Sequence, residues 1–369
     1  MCEPEVRKVI ILGSTGSIGV QALEIVKKNP ERFSLVGLAA GSNRDLVGKQ
    51  AREFGLSPEL VAIGEKEASE LVSVGDCDVV LNGITGSVGL GPTMAALKSG
   101  ATLALANKES LIVGGDLVLQ AKKRENQIVP VDSEHSAIAQ CLRSGTAAEI
   151  SRLIITASGG PFKGYSPEEL AKVSPEQALA HPTWDMGVVV TTNSATLVNK
   201  GLEVIEAHLL FGTPYDQIDV TVHPQSLVHS FVEFHDGSTI AQVSPPDMRL
   251  PIAMGLSWPN RIQGVIPGVD WRKSHSWSFE PIDENVFPAV SMAKEAGQEA
   301  ATFPAVFNAA NEQAVYAFHR REISLPDIVS CISEALNSHE PGAMTLDGVL
   351  EAERWAREFA DGYIAKRRK

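Results

Sequence analysis

The segment that decides the fold is KVIILGSTGSIGVQALEIVKKN, residues 8–29. KVIIL has the apolar, β-branched composition of a buried strand, and VQALEIVKKN has the spacing of a helix. Between them, Gly13, Gly16 and Gly19 form the pattern G-x-x-G-x-x-G. Such a turn lets backbone amides and the positive end of a helix face a pyrophosphate. The pattern alone also fits a purely structural turn, but its place in an N-terminal βαβ unit favours nucleotide binding.

Further short β-rich runs follow and alternate with helical patterns such as PTMAALKSG; these runs are SLVGLAA, LVAIG, DVVLN, ATLALA and QIVPV. The alternation predicts a parallel sheet covered by helices. After the second run come Gly41, Ser42, Asn43 and Arg44, with no acid placed to bind a free ribose hydroxyl, which favours NADP over NAD. Asp45 is the competing observation, and we expect it to lie in the following helix.

The rest of the chain changes character twice. Residues 152–243 carry the runs RLIITA, GVVVTT, DVTV, LVHSFVEF and STIAQV with fewer helices, and His235-Asp236-Gly237 reads as a turn between the last two. Residues 258–288 are rich in Trp, Pro and Gly, and the remainder is Ala-rich with helical spacing. We therefore predict an α/β protein: an N-terminal Rossmann-like NADP-binding domain (1–150), a central α+β domain (151–260), a connector (261–288) and a C-terminal α-helical bundle (289–369). A strand at 131–135 is expected to join the first two domains.

Composition excludes several classes of protein. The 369 residues include 32 basic and 45 acidic side chains, for a net charge of -13, which argues against nucleic acid as a partner. No run of apolar residues is long enough to cross a membrane, and MCEPEVRKVIILG does not resemble a secretory signal. We expect a cytoplasmic protein, although a mature organelle protein without its leader would look the same. Cys2, Cys77, Cys141 and Cys331 form no C-x-x-C pair and are expected to be reduced thiols.

Two carboxylates in QIVPVDSEHSAIAQ, residues 127–140, indicate a metal. On a strand, Asp132 and Glu134 would project to the same side, where like charges are unfavourable unless a cation lies between them. Oxygen ligands suit a hard ion, Mg²⁺ or Mn²⁺. The alternative is an exposed loop without a metal, and for an isolated D-x-E pair that alternative is the commoner one.

The best partner for these carboxylates lies in NSATLVNKGLEVIEAHLL, residues 193–210. We expect Ser194 to cap this helix, and Asn199, Glu203 and Glu206 to share one face. A helix start carrying serine, asparagine and lysine can bind a phosphate, with Glu203 supplying a third metal oxygen. Equally compatible with the spacing is a surface helix on which Lys200 and Glu203 form a solvated pair.

Three loops carry further candidate groups. Ser158-Gly159-Gly160-Pro161 offers a hydroxyl and bare amides to a phosphate, or is only a tight turn. Asn107-Lys108-Glu109 follows ATLALA at the sheet edge where ligands of such folds bind, or is a solvated helix start. The segment from His181 to Gly187, HPTWDMG, has the composition of a lid. His223 and His229 flank a Pro-Gln-Ser turn and are expected to pack or to support other groups.

The chain resembles the 1-deoxy-D-xylulose 5-phosphate reductoisomerase family over nearly its whole length. The resemblance rests on the following motifs, in this order: GSTGSIG, LANKES, VDSEH, SGGPF, HPTWDMG, NSATLVNKGLE, VHPQSLVHS, PPDMR, WPNR and NAANE. It implies a homodimer with a NADPH domain, a catalytic α+β domain and a helical bundle, acting on a small phosphorylated ketose. The implied reaction rearranges 1-deoxy-D-xylulose 5-phosphate and reduces the product with NADPH to 2-C-methyl-D-erythritol 4-phosphate, a step toward isoprenoids.

The resemblance also implies roles for individual residues. The implied metal ligands, for Mg²⁺ or Mn²⁺, are Asp132, Glu134 and Glu203. The implied phosphate-binding residues are Ser158, Ser194, Asn199 and Lys200. Lys108, Ser133, Glu134 and His181 would reach the reacting end, with Lys108, Glu134 and His181 as the catalytic groups. Trp184 and Met186 would close as a lid, and His229 and Met248 match residues near the active site. The implied cofactor residues are Gly13, Thr15, Gly16, Ser17, Ile18, Gly41, Ser42, Asn43, Asn107, Glu109 and Gly187.

The chain departs from the family pattern at two positions. Val189 stands where a lysine is usual after the lid tryptophan, and Asn193 where an aspartate usually precedes the phosphate serine. Both changes remove charge near the lid and cofactor, which bears on NADPH affinity and closure but leaves the metal and phosphate groups complete.

Two rival functions remain to be tested. A semialdehyde dehydrogenase also has an N-terminal glycine loop and uses NADP, but it needs a nucleophilic cysteine and no metal. A non-enzymatic NADP sensor would bind NADPH without consuming it.

Overall fold

A computed structural model describes residues 6–180 and 187–368, which divide into two compact units. The first unit comprises Met1–Leu111, Val118–Ala139 and Asp247–Gly268, and the second comprises Ile112–Leu117, Gln140–Pro246 and Val269–Lys369. The strands are β1 (Arg7–Leu12), β2 (Phe33–Ala40), β3 (Val61–Ile63), β4 (Val79–Asn82), β5 (Thr102–Leu105), β6 (Ile128–Pro130), β7 (Ile150–Ala157), β8 (Ile218–Val222), β9 (Val228–Phe234), β10 (Thr239–Val243) and β11 (Glu280–Pro281). The helices are α1 (Ser17–Lys28), α2 (Arg44–Glu53), α3 (Glu65–Val74), α4 (Leu90–Ser99), α5 (Lys108–Gln120), α6 (Ser133–Cys141), α7 (Pro167–Leu170), α8 (Pro175–Ala178), α9 (Val188–Ala195), α10 (Val198–Phe211), α11 (Arg249–Ser257), α12 (Ala289–Glu299), α13 (Phe303–His319), α14 (Leu325–Ser338) and α15 (Leu346–Arg367).

A six-stranded parallel sheet forms the first unit, in the order β3-β2-β1-β4-β5-β6. Its central strands are buried along their length because helices cover both faces, as expected for an all-parallel sheet. Each of the six runs predicted as a strand contributes one strand here, so the predicted Rossmann-like fold is confirmed. This strand order places the carboxyl ends of β1 and β4 side by side, which is where such folds bind ligands.

Helix α11 belongs to the first unit although it comes late in the chain. Gly255 allows it to approach the sheet closely, because a Cβ there would lie 2.7 Å from Val131 Cγ2 and 3.2 Å from Ala104 Cβ. Arg7 also donates to the carbonyl oxygens of Leu256 (3.2 Å) and Trp258 (3.0 Å). From its composition, this stretch was predicted to belong to the central domain, residues 151–260. Local composition contains no information about packing against a distant sheet. The functional domain boundaries stay a prediction.

The second unit contains a mixed five-stranded sheet in the order β10-β9-β7-β8-β11. β7 and β8 are parallel, whereas β7 with β9, β9 with β10 and β8 with β11 are antiparallel. The predicted turn at His235-Asp236-Gly237 joins β9 to β10. Gly237 has φ +86° and Ser238 N donates to Asp236 Oδ1 at 2.9 Å, both typical of a tight turn. The turn prediction is confirmed.

One predicted strand is a helix. GVVVTT lies mostly within α9, whose N-cap is Gly187. The hydroxyls of Thr191 and Thr192 donate to the carbonyl oxygens of Gly187 (3.0 Å) and Val188 (2.8 Å), four residues earlier, which suits a helix. The strand prediction was wrong because the strand preference of β-branched residues is weak compared with their tertiary surroundings.

Helices α12 to α15 end the chain, as the Ala-rich periodicity predicted. α13 packs against both α14 and α15, and most of its residues are buried. α12 packs on α10 at Gly201, where a Cβ would lie 2.7 Å from Ala289 O and 2.8 Å from Ala293 Cβ. Within the described residues, every helix is too short or too polar to cross a membrane.

Asp327 stabilises the start of α14 in a pH-dependent way. Its Oδ2 accepts hydrogen bonds from Ser324 N (2.8 Å) and Ser324 Oγ (2.5 Å), and Arg367 Nη1 donates to Oδ1 at 3.0 Å. Burial alone would raise the pKa of Asp327, but these hydrogen bonds and the Arg367 charge outweigh it and hold the pKa below its ordinary value. Since the folded pKa lies below the unfolded one, the stabilisation is complete above about pH 4 and disappears as pH falls through the folded pKa.

We expect Asp327→Asn to lower the free energy of unfolding by about 1 kcal/mol at pH 7. Urea denaturation at pH 7 and at pH 3 measures the difference, which should shrink in acid. The control is Asp347→Asn at the exposed start of α15, for which we expect a few tenths of a kcal/mol. An equal loss at both pH values for Asp327→Asn would contradict the linkage.

Candidate active site

The glycine loop connects β1 to α1 at the carboxyl edge of the sheet. Gly13 has φ +74°, and a Cβ there would lie 2.5 Å from Gly83 O, so only glycine fits. A Cβ on Gly19 would lie 2.4 Å from Gly13 O, which explains why the first turn of α1 can pack on the loop. Gly16 and Ser17 are exposed, while Thr15 and Ile18 are half-buried. The open amides at the start of α1 therefore suit a pyrophosphate.

A buried pair of hydrogen bonds fixes this loop. Ser14 Oγ donates to Gln50 Oε1 and Gln50 Nε2 donates to Ser14 O, both at 2.8 Å. Gln50 lies on α2 and is 7% exposed. Sequence reasoning missed it, although a glutamine on the same helix face as Val47 and Ala51 is an unusual polar residue in a buried position.

The loop between β2 and α2 is open to solvent. Gly41, Ser42 and Asn43 are all exposed. Asn43 caps α2, since Leu46 N donates to its Oδ1 at 3.1 Å, and Asp45 lies in the first turn of that helix as predicted. The hydroxyl of Ser42 and the guanidinium of Arg44 are therefore placed beside the turn where a ribose phosphate would lie in this fold.

Asn107 holds the neighbouring loop in place. Its side chain, 1% exposed, donates to the carbonyl oxygens of Ile84 (2.5 Å) and Gly86 (2.8 Å) and accepts from Ser110 N at 3.0 Å. Glu109 Oε2 also accepts from Asn107 Nδ2 at 3.2 Å. The loop after β4 is thus part of the same sheet edge, and sequence reasoning missed it despite the GITGS that follows DVVLN.

A second buried polar network supports that loop. Asn82 Nδ2 donates to Thr93 Oγ1 (2.9 Å) and to Gly89 O (3.1 Å), and the Thr93 and Ser110 hydroxyls are 2.8 Å apart. Asn82, Thr93 and Ser110 are fully buried. Together with Asn107, these side chains make the carboxyl edge near β4 and β5 rigid.

Asp132 and Glu134 are placed by a helix start and not by a strand. β6 ends at Pro130 and α6 begins at Ser133, so the predicted strand at 131–135 is wrong. Ser136 N donates to Asp132 O at 2.8 Å, which begins the helical hydrogen bonding. Acids at this position are favourable because the first turn of a helix carries partial positive charge. Both carboxylates lie directly after the carboxyl end of β6.

Lys108 compensates the charge of Asp132. Its Nζ forms an ion pair with Asp132 Oδ2, and both side chains are largely buried, at 10% and 14% exposed. Ser133 Oγ donates to Glu134 Oε2 at 2.6 Å. His135 is fully buried, with Nδ1 4.0 Å from Asp132 Oδ2. The first unit thus brings Lys108, Asp132 and His135 together, of which sequence reasoning had not assigned His135 a role.

In the second unit, Glu203 lies within a buried group on α10. Asn199 Nδ2 donates to Glu203 Oε1 at 2.5 Å, and Lys200 Nζ pairs with Glu203 Oε2. Lys200 is 4% and Glu203 1% exposed. The alternative of a solvated surface pair is therefore wrong. A buried cation and carboxylate on one turn are ordinarily retained where another charged group binds.

Ser194 does not cap α10. It lies in the last turn of α9, and Leu197, with φ +59°, separates the two helices. The single-helix prediction failed because nothing in NSATLVNK announces a left-handed leucine. Asn199 and Lys200 still lie in the first turn of α10, where Lys200 N donates to Leu197 O at 3.1 Å.

The Ser158 loop packs against the end of α9. Gly159 and Gly160 have φ +88° and +65°, and a Cβ on Gly160 would lie 2.8 Å from Ser194 O. Gly160 N donates to Ser158 Oγ at 3.3 Å. The Ser158 loop and Ser194 thus lie in one neighbourhood of the second unit.

Known protein families match most of the chain. The family profile of 1-deoxy-D-xylulose 5-phosphate reductoisomerase matches residues 9–72 and 57–115. Two profiles of the C-terminal domain of this family match residues 128–211 and 243–359. A protein of this name from Leifsonia xyli is 63% identical over 362 residues, covering 98% of this chain and 99% of its own. The chain belongs to the 1-deoxy-D-xylulose 5-phosphate reductoisomerase family. A member from Mycobacterium tuberculosis is 55% identical over 375 residues, covering 97% of this chain and 91% of its own.

Solved structures of the same family match the fold. A reductoisomerase from Zymomonas mobilis in complex with NADPH has a TM-score of 0.90 at 38% identity, covering 98% of this chain and 99% of its own. A reductoisomerase in complex with NADPH, fosmidomycin and magnesium has a TM-score of 0.90 at 34% identity, covering 98% of both chains. The resemblance inferred from the motifs and the predicted fold class are both confirmed.

The expected lid of this reductoisomerase is only partly described. His181, Trp184 and Met186 lie outside the described residues. Gly187 is exposed at the start of α9. Asn193, one of the two departures from the family pattern, is buried, and its Oδ1 accepts from Asn311 Nδ2 at 3.0 Å. The side-chain amide of Asn193 is thus held by that of Asn311. Val189, the other departure, is half-buried in the first turn of α9.

His223, His229 and Met248 lie in different surroundings. His229 is 6% exposed, with Nε2 3.1 Å from Ser244 O. Met248 caps α11 and packs against the core of the first unit. His223 Nε2 accepts from Leu227 N at 3.2 Å, and His223 Nδ1 lies 3.0 Å from Ser278 O. Stacked on Phe279 at 4.5 Å, His223 is a packing residue, as expected.

The cysteines do not support a thiol nucleophile. Cys77, Cys141 and Cys331 are free, and burial raises the pKa of Cys141 to about 11. A thiol with so high a pKa is almost fully protonated at neutral pH and is a poor nucleophile. The semialdehyde dehydrogenase alternative therefore lacks its essential group at this position.

Proposed function

We propose that the chain catalyses the NADPH- and magnesium-dependent conversion of 1-deoxy-D-xylulose 5-phosphate to 2-C-methyl-D-erythritol 4-phosphate, in isoprenoid biosynthesis. The observation that carries this conclusion is its 63% identity, over 98% of the chain, to a curated 1-deoxy-D-xylulose 5-phosphate reductoisomerase. Relatives of known structure bind NADPH and magnesium. When bound, NADPH supplies the reducing electrons and the magnesium ion stabilises negative charge on substrate oxygens.

The cofactor site is proposed at the carboxyl edge of the parallel sheet. Support comes from the exposed start of α1 at Ser17 and from the positive φ of Gly13, which would let the loop turn closely around a pyrophosphate. Thr15 and Ile18 complete the loop, and Gly41, Ser42 and Asn43 are exposed where the ribose phosphate would bind. We also assign Asn107, Glu109 and Gly187 to the cofactor site. Asn107 acts there by holding the loop after β4.

The metal ligands are proposed to be Asp132, Glu134 and Glu203. Three carboxylates supply the hard oxygen donors that Mg²⁺ requires. Asp132 and Glu203 are each paired with a lysine, so neither is uncompensated when the ion is absent. Binding a dication at the carboxylates would free Lys108 and Lys200 to contact anionic substrate groups, while keeping the net charge of the buried groups low.

The phosphate of the substrate is proposed to bind Ser158, Ser194, Asn199 and Lys200. Two features support this assignment: the packing of Gly160 on Ser194 and the buried ammonium of Lys200 in the first turn of α10. This anchor lies away from the bond that breaks, so its binding energy can hold the substrate fragments between steps.

The residues at the reacting end are proposed to act on protons and oxyanions. Lys108 carries an ammonium that can donate to the oxyanion formed during the rearrangement. Ser133 donates to Glu134 and so orients it as the candidate for moving the hydroxyl proton. We also assign His181 to this end and Trp184 and Met186 to a lid that excludes water. His229 and Met248 would line the site.

A NADPH absorbance assay tests the function. Absorbance should fall only when magnesium and 1-deoxy-D-xylulose 5-phosphate are both present. No decrease with folded protein would refute the proposal, and binding without consumption would favour a NADP sensor. Cys141→Ala serves as the control against a thiol mechanism, with activity expected to stay within about two-fold. Loss of turnover in a folded Cys141→Ala protein would support the semialdehyde dehydrogenase instead.

Assembly, location and domain boundaries are further parts of the proposal. We infer a homodimer, as the family resemblance implies, which light scattering would test by giving twice the chain mass. A cytoplasmic location follows from substrates too charged to cross a bilayer unaided, and cell fractionation tests it. We retain residues 1–150 as the NADPH domain, 151–260 as the catalytic domain, 261–288 as the connector and 289–369 as the helical bundle, which limited proteolysis would test.

A further inference from the structure

A cavity of about 600 Å³ opens at the amino ends of the strands of the first unit. Arg7, Arg32 and Arg124 line it, together with Asp78, Thr102 and other small polar residues. Arg7 and Thr102 begin β1 and β5, and Arg32 directly precedes β2. The glycine loop follows the opposite end of β1, so this cavity lies on the other edge of the sheet from the proposed cofactor site. Its volume is that of a small-molecule site.

The charge of the lining is positive in an acidic chain. Three guanidinium groups oppose one carboxylate, that of Asp78, whose Oδ2 accepts from the Lys8 amide at 2.7 Å. Across residues 6–180 and 187–368, neither Arg7 nor Arg124 forms an ion pair with a carboxylate, and the Arg32 pair with Glu31 is long, at 3.6 Å. Although the net charge of the chain is -13, the arginines of this lining outnumber its carboxylates, so the cluster attracts anions to one place.

Two of these arginines are held in position by neutral groups. Arg7 donates to the carbonyl oxygens of Leu256 and Trp258, and Arg124 Nη2 donates to Thr102 Oγ1 at 2.7 Å. A guanidinium has five N–H donors, so each keeps several for a ligand. Planar forks that are already oriented bind phosphate oxygens in pairs at low entropic cost.

We propose that this cavity binds a small molecule bearing a phosphate or diphosphate group, at a site separate from the cofactor and the substrate. The hydroxyl of Thr102, which accepts from Arg124, adds a neutral donor for the same group. The site depends on residues of the first unit alone, and it does not rest on the proposed reaction.

Calorimetric titration with inorganic pyrophosphate tests the site, using the full chain saturated with NADPH and free of magnesium. The double variant Arg32→Gln, Arg124→Gln should weaken one binding event by about tenfold or more, because two of three guanidinium partners are lost. Binding at the proposed substrate phosphate residues would be common to both proteins and so cancels in the comparison. The control Lys122→Gln removes one charge from an exposed residue near Arg124 and should change the affinity by less than about two-fold.

The proposal would be overturned if the wild type and the double variant gave identical titrations. It would also be overturned if the wild type showed no binding event beyond those of the double variant. Should the double variant fold poorly by circular dichroism, Arg32→Gln alone is the substitute, since the partner of Arg32 is the exposed Glu31. It should still weaken the event severalfold, and an unchanged affinity in the folded single variant would equally refute the site.

Discussion

Replacing Glu203 by glutamine is expected to lower kcat/KM by about 10²-fold or more and to weaken Mn²⁺ binding by about 10- to 100-fold. Glutamine keeps the length of the side chain and an oxygen that can accept from Asn199 Nδ2. It removes the negative charge that pairs with Lys200 and that we assign to the metal. Manganese binding is measured without substrate by titration calorimetry, and turnover by NADPH absorbance.

The matched control is Glu295→Gln, an exposed position on α12, which should leave both quantities unchanged. NADPH affinity should also be retained in Glu203→Gln, because the glycine loop belongs to the first unit and α10 to the second. A loss caused only by a misplaced Lys200 would raise KM for substrate and leave Mn²⁺ binding at its wild-type value. That result would remove Glu203 from the metal ligands, whereas weaker binding of the ion in the absence of substrate would support it.

Local patterns were sufficient for the parts of the fold that depend on local chemistry. KVIIL followed by Gly13, Gly16 and Gly19 predicted a strand, a tight turn and a helix, and each is present. The glycine spacing was informative because close contacts require two of the three glycines. A Cβ on Gly13 would meet the backbone of Gly83, directly after β4, and a Cβ on Gly19 would meet Gly13 and Ser14 of the loop itself. The parallel arrangement of the strands followed from the alternation of strand and helix, since parallel strands need crossover connections.

Predictions failed where distant packing decides. Val188 to Thr192 have strand-like composition, yet they form α9, which packs against α10 and α13 and buries Thr191 and Thr192. The D-x-E pair was placed on a strand because QIVPV was read as continuing, whereas β6 pairs with β5 for three residues only. The same acidic residues are equally favourable at a helix start, where the backbone carries partial positive charge.

The supporting polar residues of the site were harder still to find. Gln50 and Asn82 contact loops that are 36 and 7 residues away in the chain, through hydrogen bonds that no periodicity announces. Gln50 carried a faint signal as a polar residue on a buried helix face. Asn82 carried none beyond its place at the end of a buried strand. These supporting residues were thus missed, whereas the residues proposed to contact ligands were all named from the sequence.

Gly13→Ala is expected to destabilise the first unit by about 2–5 kcal/mol and to abolish measurable NADPH binding at micromolar concentrations. The cost has two parts: a left-handed backbone at φ +74° and a methyl group 2.5 Å from Gly83 O. Neither strand can move away easily, because Gly83 N donates to Leu12 O and Ser14 N donates to Ala39 O, both at 2.9 Å. Urea unfolding followed by fluorescence, with NADPH titration under native conditions, measures both effects.

Gly48→Ala provides the same chemical change without either cost. Its backbone is helical within α2, and the nearest atom to a Cβ there is Arg52 Nη1 at 3.6 Å, so we expect a gain of about 0.5–1 kcal/mol from helix propensity. If Gly13→Ala unfolded at the same urea concentration as the wild type, the loop would have to relax freely against β4. The close approach of β1 and β4 could then no longer explain why glycine occupies the first position of the loop, and the cradle proposed for the pyrophosphate would lose its physical basis.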